Sequence, residues 1–381
     1  KLYWSKRDKE EDKDKLPYVI YSDHKRYWNV FEPVCDEFER RGLECRYLTG
    51  SHDDPALTKE YEHVTCEFIG EGNKGFARLN MMKAYICLST TPGLDVLQWK
   101  RSRDVSWYAH IFHDTGDGLL YRMFGLDYYD AILATGTLQE PGIRKLESLR
   151  DLPAKEVYMV GSTYMDRMYE KSQSYRKDDD PEKPVTVLLA PSWGDSAILK
   201  RFGADLIGNL VNTGYRIIIR PHPQSKISEK EVLDALEKQF PANDMLSWNY
   251  DNDNFKVLSE ADIMISDFSG VIFDYIFTFD RPIIYADTEF DYAPYDAAWI
   301  EEGSWSLRAL PDLGPKLKQK DFPNIKAIID STITSEAYKA NRAKHKDLVW
   351  QCRGEAAKRT VDCLTAKYKE LKKAETQGAA K

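Results

Sequence analysis

The feature that most constrains the fold of this chain is a repeated alternation of short apolar runs with segments of helical periodicity. The apolar runs include PYVIYS at 17–22, KAYICLST at 83–90, PVTVLLAPS at 184–192 and ADIMISD at 261–267. Between such runs lie amphipathic segments, for example the one at 196–214, which ends in a glycine as helices often do. Strands that alternate with helices are typical of parallel sheets covered by helices on both faces. The sequence therefore predicts an α/β fold.

The alternation forms two series, separated by the charged, proline-containing stretch SQSYRKDDDPEKP at 172–184. A polar stretch without an apolar face is typical of a linker, and 381 residues suit two domains better than one. We therefore expect two Rossmann-like domains whose parallel sheets face each other across a cleft. The expected ranges are a charged lead at 1–15, an N-terminal domain at 16–175, a C-terminal domain at 176–340 and a helical tail at 341–381.

Composition excludes several classes of function. The net charge of −8 argues against broad binding of nucleic acids. The six cysteines have no CxxC spacing, so they are interpreted as reduced thiols, and no metal site is expected. No run of 18 apolar residues is present. The first residues, LYW followed by SKRDKEEDKDK, are interpreted either as a solvated linker or as the edge of a membrane anchor preceding Lys1.

Candidate functional residues follow the predicted strands, because ligands of such folds bind beyond the carboxyl ends of strands. In ISDFSGVIFDYIF at 265–277, an apolar run gives way to a helix near Gly270. The free N–H groups of that helix, together with Ser269, would form a site for an anion such as phosphate. The alternative is that Ser266 or Asp267 only caps the helix.

Two histidines stand at other strand ends. Arg220 and His222 in RPHP are held by flanking prolines, so they could bind a pyrophosphate or protonate a leaving phosphate. His113 in FHDTGDG lies beside Asp114 at a glycine-rich turn, which suits a general base that deprotonates a hydroxyl. In both cases a structural histidine or a polar turn is the alternative. The pocket walls would include two residues of APSWGDS, Ser192 and Trp193.

The chain resembles the CDP-glycerol glycerophosphotransferase family, the primases and polymerases of teichoic acids. The motifs that carry the resemblance are APSW at 190–193, IRPHP at 219–223 and SDFSGVIFDYIFTFDRPIIY at 266–285. The resemblance implies the two-domain GT-B fold, with an acceptor domain before the donor domain and a tail that packs back on the first. It also implies displacement of CMP from CDP-glycerol by attack of an acceptor hydroxyl on the β-phosphate, without a cofactor.

Site roles follow from the resemblance. His222 would contact the donor phosphates, with Arg220, and His113 would match the presumed base of an HGT turn. The residues that would line the CDP site are Ser266, Asp267, Ser269 and Gly270. Three departures lie in the acceptor half. Asp114 replaces the glycine of the HGT turn, the lysine usually found shortly after is absent from GDGLLYRMFG at 116–125, and GSTYMD at 161–166 lacks the usual Pro-Arg pair.

The implied partners are CDP-glycerol, a lipid-linked glycan or polymer acceptor, and a membrane surface. We therefore expect the protein at the cytoplasmic face of the cell membrane, as a peripheral protein or anchored by a segment before Lys1. Two alternatives remain open. One is a GT-B glycosyltransferase or related sugar-nucleotide enzyme with another nucleotide-activated donor, and the other is a non-catalytic module that binds a nucleotide or polysaccharide.

Overall fold

The computed structural model describes residues 15–175, 182–251 and 253–379. Residues 1–14 of the charged lead and residues 176–181 of the expected linker lie outside the described residues. The described chain divides into two compact units. Unit one comprises residues up to Arg167 together with Tyr292–Glu301 and Leu348–Lys381, and unit two comprises Met168–Asp291 and Glu302–Asp347. The domain ranges expected from the sequence remain a proposal.

Unit one contains a seven-stranded sheet in the order β3-β2-β1-β4-β5-β6-β7, and every pairing within it is parallel. Its strands are β1 Leu16–Ser22, β2 Cys45–Thr49, β3 Val64–Phe68, β4 Ala84–Ser89, β5 Val105–Ile111, β6 Ala131–Ala134 and β7 Glu156–Met159. All six residues of β4 are buried. Strands covered on both faces need continuous apolar runs, which explains the pattern seen in the sequence.

Unit two contains a six-stranded sheet in the order β10-β9-β8-β11-β12-β13, again with parallel pairings throughout. Its strands are β8 Thr186–Leu189, β9 Arg216–Ile219, β10 Leu246–Trp248, β11 Ile263–Ser266, β12 Ile283–Ala286 and β13 Lys316–Leu317. The predicted α/β class with two parallel sheets is confirmed. The short strands β10 and β13 were not predicted.

Helices cover both sheets. In unit one, or starting in it, they are α1 Trp28–Arg40, α2 Asn73–Leu79, α3 Gln139–Arg150, α4 Thr163–Ser172 and α14 Ala356–Ala379. In unit two, or starting in it, they are α5 Ile198–Val211, α6 Ser225–Ser228, α7 Lys230–Gln239, α8 Phe255–Glu260, α9 Val271–Phe279, α10 Trp305–Arg308, α11 Leu310–Leu313, α12 Ile325–Ile333 and α13 Glu336–Val349. None of the helices in the described part of the chain has an apolar stretch long enough to cross a bilayer.

The last helix, α14, packs on α1 and β4 in unit one. Val361 and Leu364 enter the core on that face of the sheet, and Arg41 forms an ion pair of 2.8 Å with Asp362. The expected return of the tail to the first domain is therefore found for α14. The preceding helix α13 differs, since its residues up to Asp347 belong to unit two.

Asp166 and Gly161 of the GSTYMD segment serve this packing. The carboxylate of Asp166 accepts hydrogen bonds from the indole of Trp350 at 2.8 Å and from the backbone N–H groups of Gly354 and Ala356 at 2.9 and 3.2 Å. Gly161 has φ +93°, and a Cβ there would lie 2.7 Å from the Gln351 carbonyl oxygen. The packing around the start of α14 therefore accounts for both residues.

The sequence also predicts a capping box at the start of α7, formed by Ser228 and Glu231 three residues later. This prediction is wrong, because Ser228 ends the preceding short helix. The N-cap is Glu229, and no side chain of the described residues caps it. The hydroxyl of Ser228 instead donates to the Gln224 carbonyl at 3.0 Å, a local bond that serines often prefer.

Gly136 offers a direct test of how the segment before α14 packs. A Cβ at this position would lie 1.9 Å from the carbonyl oxygen of Leu348, so Gly136→Ala should force a backbone shift and lower the free energy of unfolding by about 3 kcal/mol or more. The control is Gly208→Ala within α5, where the nearest atom would be 3.8 Å away. We expect that change to be neutral or stabilising by up to about 1 kcal/mol, because alanine favours helices. Chemical denaturation measures both, and equal stabilities would contradict the packing described.

Candidate functional sites

The candidate residues of unit two lie together at one sheet edge. Strand β8 is flanked by β9 and β11, so the turns that follow these three parallel strands are neighbours. The three turns carry the motifs that begin at Ala190, Arg220 and Ser266. The structure thus brings together the segments that the sequence proposed as a donor site.

A buried carboxylate joins two of these turns. The side chain of Asp267 accepts the backbone N–H groups of Ser192 at 3.0 Å, Ile198 at 3.1 Å and Phe268 at 2.7 Å. Burial raises the pKa of Asp267, while the three N–H groups act in the opposite direction by favouring the charged form. The loop from Ser192 to the start of α5 is therefore fastened to the end of β11.

Ser266 reinforces the same junction, since its hydroxyl donates to the Ala190 carbonyl at 2.6 Å. The exposed fractions of Ser266 and Asp267 are 0% and 1%. Neither side chain reaches the surface where a ligand would bind. In this structure both side chains hold neighbouring loops together, and their contact with a donor stays a prediction.

Ser269, which is partly buried, and Gly270, which is exposed, directly precede α9. No side chain of the described residues caps this helix, so capping by Ser266 or Asp267 is excluded as the reason for the motif. Gly270 has an ordinary φ of −60°, and a Cβ there would meet no atom within 4 Å. Neither backbone conformation nor packing requires glycine here. The N–H groups of Ile272 and Phe273 bond the carbonyls of Ser269 and Gly270 at 3.2 and 3.1 Å, so an anion at this end of the helix would meet the remaining N–H groups before them and the positive end of the helix dipole.

His222 is held in one tautomer by its own turn. Its Nδ1 accepts the backbone N–H of Gln224 at 3.1 Å, so the neutral ring carries its proton on Nε2. Burial lowers the pKa of His222, and the carboxylates of Asp267 and Glu229 partly oppose this shift. A neutral His222 therefore presents a hydrogen-bond donor at Nε2.

Arg220 and Trp193 flank His222. The guanidinium of Arg220 is half-buried and bonds the side-chain oxygen of Asn249. Burial lowers its pKa, and the carboxylates of Asp251 and Asp253 act against that shift. The indole of Trp193 is 47% exposed, and its centroid lies 6.4 Å from that of the His222 ring. The next residue in this loop is Gly194, at φ +102°.

The candidate site of unit one lies at the carboxyl end of its own sheet. His113 follows β5, and Nδ1 of its ring lies 2.9 Å from the hydroxyl oxygen and 3.3 Å from the carbonyl oxygen of Thr90, which follows β4. The Thr90 hydroxyl donates its hydrogen to the Ile111 carbonyl at 2.5 Å. Both Thr90 oxygens therefore act as acceptors, and Nδ1 of His113 must carry the proton. The neutral ring has its free lone pair on Nε2, as a general base requires.

Aromatic rings enclose His113. The ring centroid of Tyr27 lies 4.5 Å away and that of Tyr121 lies 5.7 Å away. Burial lowers the pKa of His113, and Asp114 raises it while Arg26 lowers it further. The orientation of the ring comes from Thr90, whereas Oδ1 of the exposed Asp114 accepts the Gly116 N–H at 2.9 Å. Asp114 thus shapes the turn and acts on His113 through its charge.

Three neighbours of His113 were missed by sequence reasoning. Thr90 ends the run KAYICLST, so the rule that functional residues follow strands would have found it. Tyr27 and Tyr121 lie outside strand ends, and nothing in their local sequence distinguishes them from core aromatics. His110, in β5 two residues before Phe112, is fully buried with Nε2 3.0 Å from the Tyr121 hydroxyl.

Comparison with known proteins supports the resemblance. The model of the family described as CDP-Glycerol:Poly(glycerophosphate) glycerophosphotransferase matches residues 152–298. This segment contains all three motifs that carry the resemblance and excludes the His113 turn. A comparison with curated proteins finds no significant match.

Solved structures show the fold. The wall teichoic acid polymerase TagF aligns with a TM-score of 0.59 at 14% identity, over 95% of this chain and 92% of that chain. A TagF variant soaked with CDPG aligns with a TM-score of 0.54 at 16% identity, over 94% and 90%. A putative UDP-N-acetylglucosamine 2-epimerase from Listeria monocytogenes aligns with a TM-score of 0.57 at 10% identity, over 94% and 98%. The protein has the GT-B fold.

The buried carboxylate of Asp267 should contribute far more to the free energy of unfolding than an exposed carboxylate does. Asp267→Ala leaves three N–H groups without their acceptor, so we expect the free energy of unfolding to fall by about 3 kcal/mol. The control is Asp195→Ala in the same loop region, where an exposed ion pair with Lys200 is lost and no measurable change is expected. Denaturant titration of both variants decides this, and a stable Asp267→Ala protein would show that the two turns are held by other contacts.

Proposed function

We propose that this protein transfers glycerol phosphate from CDP-glycerol to a hydroxyl of a membrane-linked cell-wall or surface-polymer acceptor and releases CMP. The family match and the fold support a transferase with a nucleotide-activated donor. CDP-glycerol as the donor is supported by the name of the matching family and by the motifs at 190–193, 219–223 and 266–285. The acceptor and its membrane location rest on the same resemblance.

The observation that carries the proposal is the opposite tautomers of the two histidines. Neutral His113 has its lone pair on Nε2, because Nδ1–H faces the Thr90 oxygens. Neutral His222 has its proton on Nε2, because Nδ1 accepts from Gln224. One ring can take a proton and the other can donate a hydrogen bond. Attack of a hydroxyl on a phosphate requires both functions.

In the proposed reaction the acceptor oxygen forms a bond to the β-phosphorus while the bond from that phosphorus to the bridging oxygen breaks. The hydroxyl proton passes to Nε2 of His113, and CMP leaves with the bridging oxygen. His222 Nε2–H, Arg220 and the N–H groups at the start of α9 stabilise the negative charge on the phosphates. Ser269 and Gly270 allow the phosphates to approach this helix end.

The remaining donor residues have supporting roles in this proposal. Trp193 packs against the nucleotide as an exposed aromatic wall, and Ser192 contributes through the position of its loop. Ser266 and Asp267 hold that loop in position. Asp114 remains a candidate for the acceptor side, where its charge tunes His113. No metal or cofactor is part of the proposal.

The direct test is release of CMP. Purified protein is incubated with CDP-glycerol and with membranes from a teichoic-acid-producing bacterium, and CMP is quantified by chromatography. We expect CMP release that depends on the membranes. UDP release from UDP-sugars would favour the glycosyltransferase alternative, and epimerised sugar nucleotide would favour a relation to the epimerases. Binding of CDP-glycerol without turnover would favour a non-catalytic module.

His222→Ala should lower turnover by about 100-fold or more, the usual scale for a positioned donor to a transferring phosphate. We also expect weaker binding of CDP-glycerol, since Nε2–H is lost from the donor side. The control is His52→Ala, which removes an exposed histidine paired with Glu71 and should leave turnover unchanged. Steady-state kinetics and calorimetry with CDP-glycerol provide the measurements. A folded His222→Ala protein of near-normal activity would assign this ring a structural role.

His113→Ala should lower turnover steeply while the affinity for CDP-glycerol stays almost unchanged, because the donor groups belong to other residues. The pH dependence follows from the base role. Activity needs neutral His113 and falls as pH drops through its pKa, which burial places below the ordinary value of about 6.5. The acid limb of the kcat profile should therefore lie below that value.

Variants of Thr90 distinguish a role of His113 as the base from a purely structural role of its ring. Thr90→Ser keeps the hydroxyl and should retain turnover, whereas Thr90→Val removes an acceptor of the Nδ1 proton and should lower turnover by about tenfold. If Asp114→Asn is more damaging than His113→Ala, the carboxylate is the base. If His113→Ala loses donor binding but keeps its turnover at saturation, the roles of the two histidines are reversed.

A further inference from the structure

The segment Tyr292–Glu301 lies in unit one, although the residues on both sides of it belong to unit two. It is referred to below as the strap. The strap pairs with the loop Leu119–Gly125 through backbone hydrogen bonds: Ala297 N–H to Leu119 at 2.8 Å, Asp296 N–H to Tyr121 at 2.9 Å, and Met123 N–H to Pro294 at 3.2 Å. An antiparallel bridge between Arg122 and Tyr295 completes the pairing. The loop is thus held by a segment about 170 residues away in sequence.

Asp296 is the centre of this contact. Its side chain is 1% exposed and accepts the N–H groups of Phe124 at 2.8 Å and Gly125 at 3.1 Å. Phe124 has φ +67°, a left-handed conformation that a bulky residue adopts only under outside constraint. The two N–H bonds to one carboxylate supply that constraint.

Arg150 neutralises the buried charge. Its guanidinium lies 2.7 Å from both Asp296 and Asp127, and all three side chains are almost fully buried. The rings of Phe124 and Trp299 each lie 4.8 Å from the guanidinium. A buried ion pair with this many partners resists rearrangement, because removal of one partner leaves an uncompensated charge.

The loop that Asp296 holds carries Tyr121, and Tyr121 forms part of the wall around His113. The Tyr121 hydroxyl bonds Nε2 of the buried His110 at 3.0 Å, and its ring centroid lies 5.7 Å from that of His113. The backbone N–H of Asp296 bonds Tyr121 itself. A continuous chain of contacts therefore runs from Asp296 through Tyr121 to the histidine.

The same segment also leads back to the donor turn. Phe290, which precedes the strap in unit two, packs its ring 5.3 Å from that of Phe268, the neighbour of Ser269. Five residues of chain lie between Phe290 and Asp296, so the segment that packs on Phe268 is directly followed by the strap.

We propose that Asp296 is a positioning residue for His113, acting through the strap and Tyr121. The inference rests on the proposed function, because it assigns His113 the role of base. Asp296 itself touches no substrate in this proposal. Its effect is to keep Tyr121 against His113, so that the ring stays enclosed and in its productive orientation.

The variant that tests this is Asp296→Asn, which keeps an oxygen acceptor and the size of the side chain but removes the charge opposite Arg150. We expect turnover with CDP-glycerol to fall by about 10- to 100-fold while KM for the donor stays within about twofold. The matched control is Asp166→Asn, which weakens another carboxylate in unit one whose three hydrogen bonds go to Trp350, Gly354 and Ala356. It should lower the melting temperature by a similar amount and leave turnover within about twofold.

A readout independent of the substrate comes from NMR titration of the His113 imidazole in the full chain. The charged and titratable groups that surround this ring are Asp23, Arg26, Tyr27, His110, Asp114 and Tyr121. Loss of the enclosure admits water, so the pKa of His113 should rise in Asp296→Asn towards its ordinary value. The acid limb of kcat should move to higher pH with it.

The outcomes separate the two levels of the inference. If wild-type protein releases no CMP while the His113 titration still shifts in Asp296→Asn, the positioning role stands and the proposed function fails. In the other outcome CMP is released, and Asp296→Asn lowers the melting temperature as much as Asp166→Asn does but leaves turnover and the His113 titration unchanged. Asp296 is then only structural, and the proposal is overturned.

Discussion

All strand pairings in both sheets are parallel, and this constraint determines where chemistry can occur in the molecule. Strands covered on both faces are largely apolar, so most polar groups collect where the strands end, although His110 is buried within β5. The turns after β8, β9 and β11 carry one set of candidates, and the turns after β4 and β5 carry the other. Nothing beyond strand direction and burial is needed to bring Thr90 beside His113 or Ser192 beside Asp267.

Hydrogen-bond partners then give the two histidines different properties. Both rings are buried enough for their pKa to be lowered, so burial alone would make them equivalent. The difference lies at Nδ1, which faces two acceptor oxygens of Thr90 in His113 and an N–H donor of Gln224 in His222. A backbone turn of two residues and a threonine directly after the adjacent strand are sufficient to leave a lone pair on Nε2 of His113 and a proton on Nε2 of His222.

Much of this could be predicted from the sequence, because periodicity and strand ends are local signals. The main strands, the helices between them, and the positions of His113, His222 and Gly270 all followed from such signals. The strap could not be predicted, since its placement in unit one depends on hydrogen bonds to residues near 120 that no local pattern reveals. For the same reason Ser266 and Asp267 were expected to face a ligand, although their burial arises from a loop 75 residues away. The two- and three-residue strands β13 and β10 are too short to show a period.

Asp267 and Asp296 each accept buried backbone N–H groups of a loop that has no helix or strand partners. A loop that must be rigid but has no ladder or helix leaves its N–H groups without acceptors, and each such group is costly when buried. One carboxylate can accept several N–H groups at once, so a single side chain can fix a turn that neither helix nor strand supports. Asp267 does this for the loop before α5, and Asp296 does it for the left-handed turn at Phe124.

Burial raises the pKa of both carboxyls. The N–H bonds that the two carboxylates accept favour the charged form, and Arg150 favours it further in the case of Asp296. The residues left exposed beside these anchors, such as Trp193 and Gly270, are consequently displayed on loops whose shape is already set before a ligand arrives.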